Sequence, residues 1–341
     1  MRALVQEHQE KDSLVLKEIP EPKVMPGWLK VKVMAAGVCG TDVHGISSLV
    51  PPVVLGHEFS GEVVEIGEGV EEFFPGARVT SETTVYHCGH CLYCVEGHFN
   101  LCPDRRGLGS RADGGFAEYV LVPHTTALIF PEHLSYEEGA LFEPFACAVH
   151  GVVEQASVKG GEKVLVLGPG PLGILVGWLA GALGAKVLLA GKSEDRGRLH
   201  IASRGPLYDV VNVDEEDLNL RIGDDFGPYG ADLVFECTGA LPAIGSGLEL
   251  LRKRGMFIQM GIIHKPVTMD FDRFLFSSEL VLTGSRTQKH SSWLRALEIL
   301  DKTHLPLKEL ITHALPLEKW REGFDLTLRR EAIKVILHPW K

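Results

Sequence analysis

Cysteines are concentrated in one short stretch of this 341-residue chain: HCGHCLYCVEGHFNLC (87–102) contains four of its seven. Such close spacing lets successive thiolates converge on one ion, and four thiolates bind zinc tetrahedrally with no open position. An iron–sulfur cluster is disfavoured, because the similar ferredoxin run has three residues before its last cysteine and this stretch has seven. Disulfides are disfavoured in a reducing cytosol. We therefore predict a structural zinc site at Cys88, Cys91, Cys94 and Cys102.

Three other segments each contain a possible metal ligand. They are AAGVCGTDVHG (35–45) with Cys39, LGHEFSGEVVEIG (55–67) with His57 and Glu58, and GALFEPFACAVHG (139–151) with Glu143. Taken singly, each is unremarkable, because a lone cysteine or histidine more often packs in a core than binds a metal. One thiolate, one imidazole and one carboxylate together would leave a zinc position open for water or substrate. The three segments are therefore candidates for a catalytic zinc site.

Residues 161–191 predict a dinucleotide-binding unit. An apolar strand (164–167) leads through a glycine-rich turn into a helix, and a second strand (186–190) follows. The pyrophosphate is expected at the helix N-terminus, where free backbone N–H groups and the helix dipole favour anions. The predicted cofactor contacts in the turn are Gly168, Gly170, Pro171, Leu172 and Gly173.

The end of the second strand predicts which dinucleotide is bound. An acidic residue there would bind the ribose hydroxyls of NAD, and Gly191 carries no carboxylate. The groups available for the 2′-phosphate of NADP are those of Gly191, Lys192, Ser193 and Arg196. We therefore favour NADP over NAD. If the strand runs longer, Glu194 or Asp195 would take the acidic role of an NAD site instead.

Strands and helices alternate from about residue 148 to 285, which predicts an α/β fold with a doubly wound parallel sheet. The formal net charge of −11 argues against nucleic acid or an anionic membrane surface as a partner. The most apolar segment is interrupted by glycines and prolines, and the first residues lack a signal-peptide core, so neither predicts a membrane span or secretion. We expect a cytoplasmic enzyme.

The motifs between residues 37 and 173, in this order, resemble those of the zinc-dependent medium-chain dehydrogenases of alcohols, polyols and threonine. The C-terminal stretch ITHALPLEKWREGFDLTLRREAIKVIL is also similar, so the likeness covers essentially the whole chain. The resemblance implies a GroES-like β-barrel catalytic domain, a Rossmann domain and a C-terminal segment that returns to the catalytic domain. The expected bounds are 1–147 with a zinc lobe at about 86–104, 148–285 and 286–341.

The same resemblance implies two zinc ions per chain, one structural and one catalytic. The catalytic ion is expected on Cys39, His57 and a carboxylate. EPFACAVHG resembles the polyol branch of the family, so we assign that carboxylate to Glu143 rather than placing Cys147 there. Glu58 would bind the metal directly, alternate with Glu143 as the ligand, or interact with the ligands without binding the metal itself.

The expected reaction transfers a hydride between NAD(P) and the secondary alcohol of a polyol, a sugar or an amino alcohol such as threonine. Thr41 and His44 match the family's proton relay from substrate hydroxyl through the cofactor ribose to solvent, although an ordinary turn capped by Asp42 would look the same. A non-catalytic, zinc-stabilised redox sensor is the alternative function. The resemblance also implies a homodimer or homotetramer joined near residue 280. Relatives with a longer loop between the positions of residues 44 and 57 cover the substrate pocket with it. Because this linker is short, the resemblance does not predict which substrate is used.

Overall fold

The computed structural model describes residues 1–10, 13–45 and 49–341, so part of the linker between residues 44 and 57 lies outside the described residues. The described chain forms two compact units. The first comprises Met1–Glu143, Lys289–Asp301 and Leu307–Lys341, and the second comprises Pro144–Gln288 and Lys302–Pro306. Within this described part, no helix is long and apolar enough to cross a bilayer.

The strands, in chain order, are β1 (Arg2–Gln6), β2 (Leu14–Glu18), β3 (Trp28–Gly37), β4 (Val53–Val54), β5 (Glu58–Ile66), β6 (Arg78–Ser81), β7 (Thr84–Tyr86), β8 (Arg106–Gly107), β9 (Tyr119–Pro123), β10 (Ala127–Ile129), β11 (Lys163–Leu167), β12 (Lys186–Gly191), β13 (Asp209–Asn212), β14 (Ala231–Glu236), β15 (Leu251–Gln259), β16 (Val281–Gly284), β17 (Ile311–Pro316) and β18 (Lys334–His338). The α-helices are α1 (Gly40–His44), α2 (Leu92–Val95), α3 (Tyr136–Ala140), α4 (Phe142–Val149), α5 (Pro171–Ala182), α6 (Arg196–Ala202), α7 (Leu218–Phe226), α8 (Leu241–Glu249), α9 (His290–Lys302) and α10 (Trp320–Leu328).

The first unit is built on a seven-stranded sheet with the order β10-β6-β5-β3-β18-β17, and β9 also pairs with β3. Strand β3 lies antiparallel to both β5 and β18, while β17 and β18 run parallel. The strands from the far end of the chain are therefore neighbours of β3. Phe59, Phe116 and Leu337 are fully or almost fully buried in the core of this unit. This sheet positions the candidate metal ligands.

The second unit contains a six-stranded parallel sheet with the order β13-β12-β11-β14-β15-β16. The first strand of the unit lies inside the sheet, so the order reverses direction beside β11, as in doubly wound dinucleotide-binding folds. The predicted parallel sheet is confirmed. Because all strands run the same way, the chain leaves β11, β12 and β14 at one common edge of the sheet.

Helix α5 is apolar on all sides and lies buried against this sheet, and its Trp178 is completely inaccessible to solvent. The indole N–H of Trp178 donates a hydrogen bond to the carbonyl oxygen of Ala202 at 2.7 Å. That bond satisfies the polar atom of a side chain that would otherwise be costly to bury. The helix that follows the glycine-rich turn thus packs on β11 and β12, and this bond connects it to helix α6.

Candidate catalytic metal centre and cofactor site

Cys39, His57 and Glu58 converge in the first unit, where one ligand atom from each lies within 4.8 Å of the others. Cys39 follows the end of β3, and Glu58 is the first residue of β5. The antiparallel register sets Glu58 opposite Gly37, which brings the two segments together. A thiol, an imidazole and a carboxylate at these separations form a donor set that suits zinc.

Gly37 allows the Glu58 carboxylate to fold over β3. A Cβ atom built on Gly37 would lie only 2.2 Å from Oε2 of Glu58, well inside van der Waals contact. Any larger residue at position 37 would therefore displace the carboxylate. Glu58 itself is 1% exposed, so its position is set by packing rather than by solvent.

Asp42 supports two of these ligands from helix α1. Its Oδ2 accepts a hydrogen bond from the backbone N–H of Cys39 at 2.9 Å, and its Oδ1 lies 3.5 Å from Nδ1 of His57. Burial alone would lower the pKa of His57, but the Asp42 carboxylate and the Cys39 thiol raise that pKa well above its usual value. The pocket therefore favours a positive charge, which a divalent cation would supply. Sequence reasoning assigned Asp42 only a capping role, and the structure adds its contact with His57.

Sequence reasoning missed Lys334, which lies on β18 and is 2% exposed. Its ammonium group contacts Oε2 and Oε1 of Glu58 at 2.6 and 2.8 Å and donates to the carbonyl oxygen of Val38 at 3.1 Å. Burial opposes its charge, but Glu58, Cys39 and Glu143 together raise the pKa of Lys334. A lysine inside the apolar strand KVILH was the only signal of this role in the sequence.

Glu143 is buried in the first turn of α4. Among the described residues it lies outside the group of three whose ligand atoms are within 4.8 Å of one another. Its charge nevertheless acts on the pKa of Lys334, so it belongs to the same electrostatic environment. The assignment of Glu143 as the third protein ligand stays a prediction.

The four clustered cysteines also converge, with one sulfur from each within 4.8 Å of the others. Sγ of Cys88 and Sγ of Cys94 are 3.9 Å apart, close to the edge of about 3.8 Å expected for a tetrahedron with bonds of about 2.3 Å. The backbone N–H groups of His90 and Cys91 lower the pKa of Cys88 to about 6, whereas burial raises the pKa of Cys94 to about 12. This geometry fits one tetrahedral ion better than a multi-iron cluster, whose cysteines each bind a different iron.

Thr41 and His44 lie on the same short helix, α1, immediately after Cys39. Thr41 is half-buried and His44 is exposed. The helix therefore runs from the candidate metal ligands toward solvent. This arrangement is compatible with proton transfer outward from the site, and the relay itself stays a prediction.

In the second unit, the glycine-rich turn joins β11 to α5. Gly168 has a φ of +102°, and a Cβ atom on Gly173 would lie 2.0 Å from the carbonyl oxygen of Gly168. Gly170 is the N-cap of α5, Pro171 is at its start, and Leu172 follows within the first turn. The turn thus presents a helix N-terminus at the carboxyl edge of the sheet, where a pyrophosphate binds in such folds.

Gly191 is the last residue of β12, one residue beyond the predicted strand end at 190, and it packs against the glycine-rich turn. A Cβ atom at this position would approach Cγ of Pro169 to 2.7 Å, so the absence of a side chain serves packing as well as space for a phosphate. The residues that follow it are engaged locally: Lys192 N–H donates to Asp195, Ser193 N–H donates to Asp214, and Arg196 forms an ion pair with Glu215.

The Lys334–Glu58 pair leads to a stability prediction. Replacing Lys334 by Met (K334M) leaves the Glu58 carboxylate buried without its cation, which should cost ~3–5 kcal/mol of unfolding free energy in metal-free protein. Adding Glu58→Gln should recover most of that loss, because the uncompensated charge is gone. Urea unfolding in the presence of a chelator measures both effects.

The control for K334M is Lys17→Met. Lys17 forms an ion pair with Glu7 at 2.6 Å, but both side chains are 37% exposed, so its loss should leave stability unchanged. If the double variant K334M/E58Q were as unstable as K334M alone, lost packing rather than charge would explain the effect.

Two family models match the chain: the alcohol dehydrogenase GroES-like domain at residues 25–132 and the zinc-binding dehydrogenase at residues 171–302. Sorbitol dehydrogenase of Halalkalibacterium halodurans is 39% identical over 343 residues, covering 99% of each chain. D-arabitol-phosphate dehydrogenase of Enterococcus avium is 38% identical over 96% of this chain and 94% of that protein. A Sinorhizobium meliloti protein described as a zinc-binding dehydrogenase and bound to NADP superposes with a TM-score of 0.92 at 31% identity, over 99% of both chains.

These matches confirm the predicted GroES-like domain and the zinc-dependent dehydrogenase class, and they give no support to a non-catalytic redox sensor. Both family models are matched in order along the chain, and the relatives align over nearly its whole length. The chain therefore belongs to the zinc-dependent medium-chain dehydrogenase family, and it is an NAD(P)-dependent alcohol oxidoreductase.

Proposed function

We propose that this enzyme oxidises a secondary alcohol of a polyol, with NADP as the favoured acceptor and zinc on Cys39, His57 and a carboxylate. The observation that carries the proposal is the convergence of Cys39, His57 and Glu58 in a pocket whose electrostatics favour a cation. Similarity to a sorbitol dehydrogenase and to a D-arabitol-phosphate dehydrogenase supports a polyol over a simple alcohol.

The metal would act as a Lewis acid on the alcohol oxygen, and the nicotinamide would accept the hydride from the carbinol carbon. The chain's residues prepare that step. Asp42 lies 3.5 Å from Nδ1 of His57, and an imidazole held through that atom would offer Nε2 to the metal. Lys334 offsets the charge of Glu58. The Thr41 hydroxyl would accept the proton of the substrate hydroxyl while giving its own proton to the cofactor ribose, and His44 would take a proton from the ribose and release it to solvent. Hydride and proton would thus leave separately.

The proposal includes two zinc ions per chain, and metal analysis tests this count. Native protein should contain about two zinc ions, and Cys39→Ser about one, because the four-cysteine lobe is untouched by the change. Cys39→Ser should lose turnover and keep dinucleotide binding, measured by calorimetry. Cys147→Ser, a change at a partly buried cysteine outside both proposed metal sites, should keep both ions. A Cys39→Ser protein with full activity would refute the assignment.

The relay is tested at Thr41. Thr41→Val removes the hydroxyl with little change in shape and should lower kcat by roughly 10²–10⁴-fold, the usual contribution of a positioned proton-transfer group. Thr41→Ser should retain most of the activity. Zinc content and dinucleotide affinity should match those of the native enzyme in both variants. Equal kcat values for the valine and serine variants would remove Thr41 from the mechanism.

The substrate itself is identified by measuring reduction of both dinucleotides with a panel of polyols, sugars, threonine and simple alcohols. A polyol should give the highest kcat/KM. Oxidation of threonine alone would instead assign the enzyme to an amino-alcohol substrate.

NADP is favoured for two reasons. Gly191 provides no carboxylate at the end of β12, and Lys192, Ser193 and Arg196 follow it. The Sinorhizobium meliloti structure at 31% identity is bound to NADP.

We further propose a homodimer or homotetramer in the cytoplasm. Strand β16 is at one edge of the parallel sheet and exposes Val281 and Leu282, and Phe276 nearby is 84% exposed. A cluster of reduced cysteines suits a reducing compartment.

A further inference from the structure

Four consecutive acidic residues, Asp214, Glu215, Glu216 and Asp217, follow strand β13. Asp217 is the N-cap of helix α7, and the other three form an acidic turn. Strand β13 lies directly beside β12 and parallel to it, with Asn212 paired to Gly191. Because parallel neighbours end at the same edge of the sheet, the acidic turn lies against the segment 192–196. That segment is the one proposed to bind the 2′-phosphate of NADP.

Two of the carboxylates contact groups that the phosphate would need. Oδ2 of Asp214 accepts a hydrogen bond from the backbone N–H of Ser193 at 2.8 Å, and Glu215 forms an ion pair with Arg196. The Ser193 hydroxyl exchanges hydrogen bonds with the Asn212 side chain at 3.1 and 3.4 Å. The amide and the guanidinium of the proposed phosphate site therefore already have anionic partners.

The third carboxylate points elsewhere. Glu216 contacts the Arg221 guanidinium at 2.8 Å, and Arg221 is also bound to Asp209 and Asp225. Glu216 thus has the same charge and lies in the same turn, but it contacts a different cation.

A 2′-phosphate carries nearly two negative charges, so it must displace or tolerate these two carboxylates, whereas NAD has no group at this position. The pair between Arg196 and Glu215 is exposed, at 72% and 52%, and an exposed pair is weak enough to open. The free energy of opening this pair is spent only when NADP binds, because NAD has no phosphate at this position. The two carboxylates therefore act on selectivity rather than on dinucleotide binding in general.

We propose that Asp214 and Glu215 are specificity-determining residues that weaken binding of the 2′-phosphate by competing for Ser193 and Arg196. The inference rests on the proposed function in one respect, that the segment 192–196 receives the adenosine ribose end of the cofactor. The degree of preference for NADP is then a balance between the cations of this segment and the acidic turn beside it.

The test measures affinities of NADP and NAD by calorimetry for native enzyme and for Glu215→Gln, Asp214→Asn and Glu216→Gln. Asn at position 214 removes the charge and leaves only a weaker, neutral acceptor for the Ser193 amide, so it reduces the competition without emptying the site. Glu215→Gln and Asp214→Asn should each bind NADP about three- to tenfold more tightly and bind NAD unchanged, with the gain shrinking at high salt. Glu216→Gln should change neither affinity by more than a small fraction of that effect.

An equal gain in all three variants would indicate a general charge effect and overturn the proposal, as would unchanged NADP affinity in Glu215→Gln and Asp214→Asn. The native enzyme's own ratio of NADP to NAD affinity tests the proposed cofactor preference separately. A native enzyme that prefers NAD would refute that preference, while tighter NADP binding by Glu215→Gln would still support the role of the acidic turn.

Discussion

The buried ion pair between Lys334 and Glu58 is the interaction on which the candidate metal centre depends. Cys39, Glu58 and Glu143 bring acidic groups into a region from which water is largely excluded, where uncompensated charge is expensive. Lys334 supplies one permanent positive charge. A second cation is still favoured, as the raised pKa of His57 indicates. A divalent metal would meet that demand and leave the imidazole neutral, which is the form in which it binds zinc.

This arrangement is assembled by strand register rather than by local sequence. Lys334 and Glu58 are 276 residues apart, and they meet because β5 and β18 are neighbours of the same strand, β3. From the sequence, Cys39, His57 and Glu58 could be selected as ligand types within recognisable motifs. Lys334 could be seen only as a lysine in an apolar strand, with no indication of its partner. The contact between Asp42 and His57 could not be predicted either, because it joins helix α1 to a residue on another segment.

Features with a local cause were predictable. The spacing of the four cysteines, the strand–turn–helix order around the glycine-rich turn and the parallel sheet all depend on short stretches of chain. The cofactor preference could not be predicted from one short stretch of chain. The segment after β12 offers cations when taken alone, but the structure sets Asp214 and Glu215 from the adjacent strand beside it. The electrostatics of a binding edge depend on both strands that meet there.

The two proposed metal sites differ in how much they depend on the packing of the surrounding chain. The cysteine lobe exposes several apolar side chains, including Leu92 at 66% and Val95 at 74%, so it has little hydrophobic core of its own. An ion held by four thiolates can supply the order that packing does not, as in small zinc-stabilised domains. Around Cys39, by contrast, Glu58 is buried and packs over Gly37, so the surrounding core positions this carboxylate. Removing metal should accordingly unfold the lobe first, while the catalytic pocket keeps its shape and loses only its chemistry.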